Sequence, residues 1–239
     1  MHNIEFWDRI FVRNYIPQYE ILETTLKARL LPTFADIERE AEEKSESEWE
    51  RLGNEIYPDY IDSSHIAEWA EETGINHFMN MSSMRQALIN MFAMTLYHVF
   101  EQHLMEFHRK EILHIKKAND KKYFKQKLLK KSLKEAGVDI ESFNSWAAIE
   151  ELRLLANSIK HAEGDSSDDL QNINKRLFYP DSTTASMLSS FSNSKSQVFN
   201  PLSGEDIYVQ ESDIEKYSLA LKAFWGELTQ EMRECANRA

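Results

Sequence analysis

Six glycines and five prolines in 239 residues leave this chain few places to turn. Glycine supplies left-handed backbone and proline breaks helices and central strands, so their scarcity favours long helices over many short strands. A hydrophobic content of 42%, with 13 Phe, 9 Tyr and 5 Trp, is ample for one substantial core. The single cysteine, Cys235, excludes an internal disulfide and fits a reducing cytoplasm. No Cys/His pair has the spacing of a structural zinc site, and no metal or cofactor is expected. The first ten residues carry Glu5 and Asp8 and lack the basic-then-apolar order of a signal peptide. The longest nearly apolar stretch, Gln86 to Phe100, contains Asn90 and His98 and is too short to span a bilayer. The expectation is a soluble, cytoplasmic, all-α protein with no membrane partner.

Periodicity divides the chain at about residue 79. From Gln18 to Glu55 the pattern is helical, with Pro32 marking a break or a helix start. Asp36 to Glu72 is acidic with a thin apolar stripe, so residues 1–79 read as a helical N-terminal extension, packed on the main bundle or free to meet a partner. Asp62-Ser63-Ser64 is suited to cap a short helix that Gly74 ends. Residues 80–239 read as a helical bundle. Ser82 or Ser83 caps a helix to about His114, nearly 50 Å long at roughly 1.5 Å per residue. A lysine-rich helix follows from Asn119 or Asp120 to Gly137, with Phe124, Leu128, Leu129 and Leu133 inward. A third runs from Ser142–Ser145 to Gly164 on a stripe of Trp146, Ile149, Leu152, Leu155/Ala156 and Ile159. Ser182 to Ser196 is hydroxyl-rich, as in a flexible loop at about 180–204. Ser212-Asp213-Ile214-Glu215 has the form of a capping box for the last helix.

Charge is unevenly spread. The net value is −12, yet Arg109 to Lys134 holds 11 basic and 2 acidic residues, a local balance of +9 against −21 elsewhere. Such polarisation suits a basic face for an anionic partner. Lys116, Lys117, Lys121, Lys122, Lys125 and Lys130 are the expected RNA contacts, with Tyr123 or Phe124 available to stack a base. The same lysines also suit a solvated helix face or a dock for an acidic protein segment. On the preceding helix, His98, Glu101, His103, His108 and His114 lack the i, i+4 spacing of a metal site, while Glu101 and His98 suit a local pair.

The third helix carries the candidate chemistry. Arg153, Asn157 and His161 are spaced i, i+4, i+8 and form one inclined ridge, with roughly 6 Å of rise per step. Lys160 and His161 also lie in the last turn before Gly164, where cations meet the negative end of the helix dipole in proteins with no active site. Both readings stand on the residues alone.

Asn157-Ser158-Ile159-Lys160-His161, with Gly164 after it and Gly204-Glu205-Asp206-Ile207-Tyr208-Val209 later, resembles an uncharacterised bacterial branch of the HEPN superfamily. That family is all-helical, and many members are metal-independent ribonucleases of toxin–antitoxin and phage-defence systems. Its motif is an Arg, often followed by a polar residue, with His four to six residues after the Arg. Asn157 and His161 match the polar residue and the His, and Ala156 stands where the Arg would be. The resemblance implies a HEPN-like four-helix bundle and an endoribonuclease that leaves 2′,3′-cyclic phosphate ends. It casts His161 as general acid/base, Asn157 as its orienter, and Arg153 with Lys160 as phosphate cations. Because roughly 12 Å of helix separates Arg153 from His161, the reading includes a homodimer in which the two meet across subunits. A cognate antitoxin or defence partner is also implied. Ala156 favours a second expectation, a catalytically silent HEPN-like module that binds a protein or nucleic acid and regulates a partner.

Overall fold

A computed structural model describes residues 3–58, 62–113, 121–180 and 197–238. The regular elements among these residues are all helices, with no strand, and no helix is long and apolar enough to cross a membrane. The helices are α1 (Ile4–Ile10), α2 (Ile16–Thr25), α3 (Ile37–Gly53), α4 (Ser63–Phe107), α5 (Gln126–Glu135), α6 (Trp146–His161), α7 (Asp165–Ile173) and α8 (Glu211–Arg238). A π-helical turn, Phe11–Tyr15, joins α1 to α2, and a 3-10 turn over Leu31–Phe34 places Pro32 at the expected break. The Ser-rich stretch Ser182 to Ser196 lies outside the described residues.

The bundle is built from α4, α6 and α8, with α1–α2 laid along α8. Aromatic side chains fill the seam. Trp225 of α8 meets Phe11 at 4.5 Å and Tyr15 at 5.0 Å between ring centroids, and Tyr15 stacks on His103 of α4 at 3.8 Å with the rings nearly parallel. Polar tips in this core are satisfied in series. The Trp225 indole donates to the Tyr19 hydroxyl (3.1 Å), which sits 3.0 Å from His103 Nδ1, and the Tyr15 hydroxyl donates to Glu106 at 2.8 Å. Residues 3–34 thus pack on the main bundle, and Trp7, Phe11, Tyr15, Tyr19 and Leu26 belong to its core.

The first long helix differs from the sequence reading. Asp62 does cap a helix, its carboxylate accepting from the Ser64 and His65 amides, but Gly74 does not end it. The helix runs unbroken for 45 residues, about 67 Å at 1.5 Å per residue. Gly74 faces α3 instead, where an added Cβ would lie 2.8 Å from the Ala41 carbonyl oxygen. A glycine within a helix is here a device for close helix crossing. The division at 79/80 falls inside α4, and α3 with the first turns of α4 forms a helical hairpin, the arm. The capping of α8 also shifts. Asp213 lies inside the helix and its carboxylate accepts from the Gln210 amide at 2.8 Å, so Gln210 rather than Ser212 stands at the cap.

Two histidines of α4 and its following turn serve the core. Burial pushes His103 and His108 down to about 4, and both ring nitrogens of His108 are buried without a hydrogen-bond partner. Between pH 6.5 and pH 4 the unfolded chain therefore binds protons that the folded chain refuses, so stability falls on acidification and is fully recovered above about pH 6.5. Each histidine should contribute a loss of about 1.4 kcal/mol per pH unit within that window. Urea unfolding at several pH values should show a shallower acid loss for His108→Phe than for the wild type. An unchanged slope would mean that His108 titrates normally in the folded protein.

Candidate nucleic-acid interface

The buried stripe of α6 is the one its sequence spells: Trp146, Ile149, Leu152, Leu155, Ala156 and Ile159 are all buried. Ala156 is 0% exposed. The position at which the resemblance expects an arginine is therefore a core position, where a guanidinium would lack both water and a counter-ion.

Arg153 points the other way. Its Nε and Nη2 donate to one Glu150 oxygen at 3.0 and 2.7 Å, and that carboxylate raises the guanidinium pKa further. Arg153 lines a cleft of about 560 Å³ between α6 and α5, whose other cations are Lys127, Lys130, Lys131 and Lys134. Glu141 and Glu150 are the carboxylates there, so five cations face two anions. α5 has this form because Leu129 and Leu133 turn into the core while Lys127, Lys130, Lys131 and Lys134 lie on its other faces. Lys127, Lys131 and Lys134 recur at i, i+4, i+7 and share one face.

Part of this charge is neutralised locally. Lys130 pairs with Glu141 (2.7 Å) and lies over the Trp146 ring at 5.5 Å; Lys134 pairs with Asp139 (2.6 Å) and Lys131 approaches Glu135 (3.7 Å). Lys127 is exposed and forms no ion pair among the described residues. The pairs of Lys131 and Lys134 are solvent-exposed and therefore weak, so an incoming phosphate can displace them.

Of the lysines expected from sequence, Lys130 lies in the cleft. Lys121, Lys122 and Lys125 are exposed just before α5, with Lys122 over the Tyr123 ring at 5.0 Å. Lys116 and Lys117 lie outside the described residues, as do His114 and the side chain of Phe124. Lys127, Lys131 and Lys134 were not among the expected contacts, although their helical spacing would have found them.

Asn157, Lys160 and His161 continue along α6 beyond this cleft and line no part of it. Asn157 is half-buried, Lys160 and His161 are exposed, and none of the three makes a side-chain hydrogen bond or ion pair among the described residues. Arg153 and His161 are therefore not brought together within one subunit. Ala162 follows His161 with φ +61 and ψ −128, a backbone that L residues rarely adopt, and turns the chain abruptly into α7.

Behind the cleft is a polar layer between α4 and α6. His98 Nδ1 lies 3.3 Å from Glu101, the pair expected from their i, i+3 spacing, and the Tyr97 hydroxyl reaches the same carboxylate at 3.4 Å. His98 Nε2 and the second Glu150 oxygen are buried without a partner. On the opposite side of α6, Glu151 anchors the helix. It accepts from Lys216 (2.7 Å), Asn174 (2.8 Å) and the Tyr217 hydroxyl (2.8 Å). Burial alone would push this carboxyl up, but the three donors outweigh it and leave it below its ordinary value. Glu151 thus fixes the roll of α6 and, with it, which side chains face α5.

Among the described residues no group of three His, Cys, Asp or Glu side chains is placed to hold a metal ion. No protein-family model, curated protein or solved structure matches this chain.

Proposed function

We propose that this protein is a HEPN-like helical module that binds RNA along its backbone without cleaving it in the single subunit, and so regulates a partner. The observation that carries the reading is the α5–α6 cleft, where Lys127, Lys130, Lys131, Lys134 and Arg153 converge in a chain whose net charge is −12. Cations gathered on one face of an acidic protein bind phosphates by releasing counter-ions, which gives affinity with little sequence preference. The lysines exposed before α5 would extend the track. Catalysis within one subunit has little support, because Ala156 is in the core and Arg153 is held by Glu150 away from His161.

A second reading is the metal-independent endoribonuclease, favoured by the exposure of Lys160 and His161, which make no side-chain hydrogen bond or ion pair among the described residues. A homodimer that set the His161 of one subunit beside the Arg153 of the other would supply acid/base and cation together.

One experiment separates the two. A labelled single-stranded RNA is titrated with wild type, with a Lys127→Glu/Lys131→Glu/Lys134→Glu variant and with His161→Ala, in EDTA. The expected result is salt-dependent binding without cleavage. The lysine variant should bind roughly tenfold or more weakly, and its salt slope should be shallower by about one for each phosphate it no longer engages. Binding unaffected by the lysine variant would sink the RNA reading. Cleavage to 2′,3′-cyclic ends that disappears in His161→Ala would replace it with the nuclease.

A further inference from the structure

The arm carries a surface that the bundle does not use. Between α3 and the start of α4 runs a groove of about 320 Å³, floored by Ala41, Gly74, Ile75 and Phe78. Ile75 and Phe78 are 50% and 41% exposed, although both are large apolar side chains. The groove is shallow at its middle because Gly74, with no side chain, lets α3 pass close against α4. The rim is made by Glu38, Glu42 and Glu71, all exposed and forming no ion pair among the described residues. The groove spans about two helical turns on each wall, roughly 10 Å.

Charge selects what can lie there. α3 and residues 63–80 of α4 together hold ten acidic and three basic residues, a balance of −7. A second copy of the arm would bring the same charge against this one, and like charges facing one another oppose association. RNA is excluded for the same reason. The α5 helix of a second copy is cationic, but Leu129 and Leu133 are committed to its own core, which leaves the half-buried Leu128 as a single apolar anchor. The occupant must bring both free apolar anchors and positive charge.

We propose that the arm groove is a docking site for a cationic amphipathic helix of a partner protein, with apolar residues at i, i+3/i+4 seated on Ile75 and Phe78 and its Lys or Arg residues paired with Glu38, Glu42 and Glu71. The site is separate from the α5–α6 cleft and does not depend on what that cleft binds.

The test uses the full chain and a fluorescein-labelled peptide of Leu and Lys patterned as an amphipathic helix, read by anisotropy at physiological salt. Two control peptides accompany it, one with the same residues in an order that abolishes the apolar face and one with Glu in place of Lys. The patterned Leu/Lys peptide should bind in preference to both. Ile75→Asp/Phe78→Asp should weaken it roughly tenfold or more with thermal unfolding unchanged, since both side chains are exposed. Glu38→Lys/Glu42→Lys/Glu71→Lys should weaken it comparably and reduce its salt dependence. Absence of binding, equal binding of either control peptide, or indifference to the Ile75/Phe78 variant would overturn the proposal. A concentration-dependent dimer that Ile75→Asp/Phe78→Asp dissolves would instead make the occupant a second copy.

Discussion

Gly204→Ala should destabilise the protein by about 4 kcal/mol, one of the largest losses available from adding a single carbon. Gly204 has φ +84 and lies against α4, where an added Cβ would come within 2.0 Å of the Ser83 carbonyl oxygen and 3.0 Å of the Ala87 amide nitrogen. Both neighbours are helix backbone and cannot swing aside as a side chain could. The loop is also held nearby by Asn90, which is 0% exposed. Its Nδ2 donates to the carbonyls of Pro201 (2.9 Å) and Ile207 (2.8 Å), so a shift of the loop would strand buried acceptors. Gly226→Ala is the internal control. Gly226 lies within α8 and nothing comes within 4 Å of an added Cβ, so the same change there should stabilise by about 0.5–1 kcal/mol. Urea midpoints should move in opposite directions for the two variants. A Gly204→Ala midpoint within error of wild type would mean that the loop does not press on α4.

Deleting residues 1–34 should abolish cooperative folding. The segment contributes Trp7, Phe11, Tyr15, Tyr19 and Leu26, each 3% exposed or less. At about 2 kcal/mol for each buried side chain the loss is on the order of 10 kcal/mol, comparable to the whole net stability of a typical domain. The deletion would also leave Trp225 without its acceptor on Tyr19 and uncover His103, which Tyr15 stacks upon. Circular dichroism during urea titration should show a broad, non-sigmoidal loss of helix in place of a single transition. A truncated chain that melts sharply near the full-length midpoint would make the segment an appendage and the aromatic seam dispensable.

The local determinants of this fold were legible in the residues. Scarce Gly and Pro pointed to helices, and the stripe from Trp146 to Ile159 located the buried face of α6, because a helix in a bundle must hide its apolar side. The Asp62 cap, the break at Pro32 and the charge contrast between the Arg109–Lys134 stretch and the rest are also properties of nearby residues. What those residues face was not legible. Gly74 reads as a helix end until α3 is seen to cross it, and the N-terminal aromatics acquire their place only against Trp225, at the far end of the chain. The ridge of Arg153, Asn157 and His161 is real as a spacing, yet Arg153 is drawn into a cleft with the α5 lysines while His161 stays in solvent. Helical periodicity sets the angle at which a side chain leaves its own helix. Which helix lies opposite is decided by the packing of distant apolar stripes. The burial of Ala156 follows from its own stripe, whereas the convergence of Arg153 with Lys127, Lys131 and Lys134 was settled only by the tertiary structure.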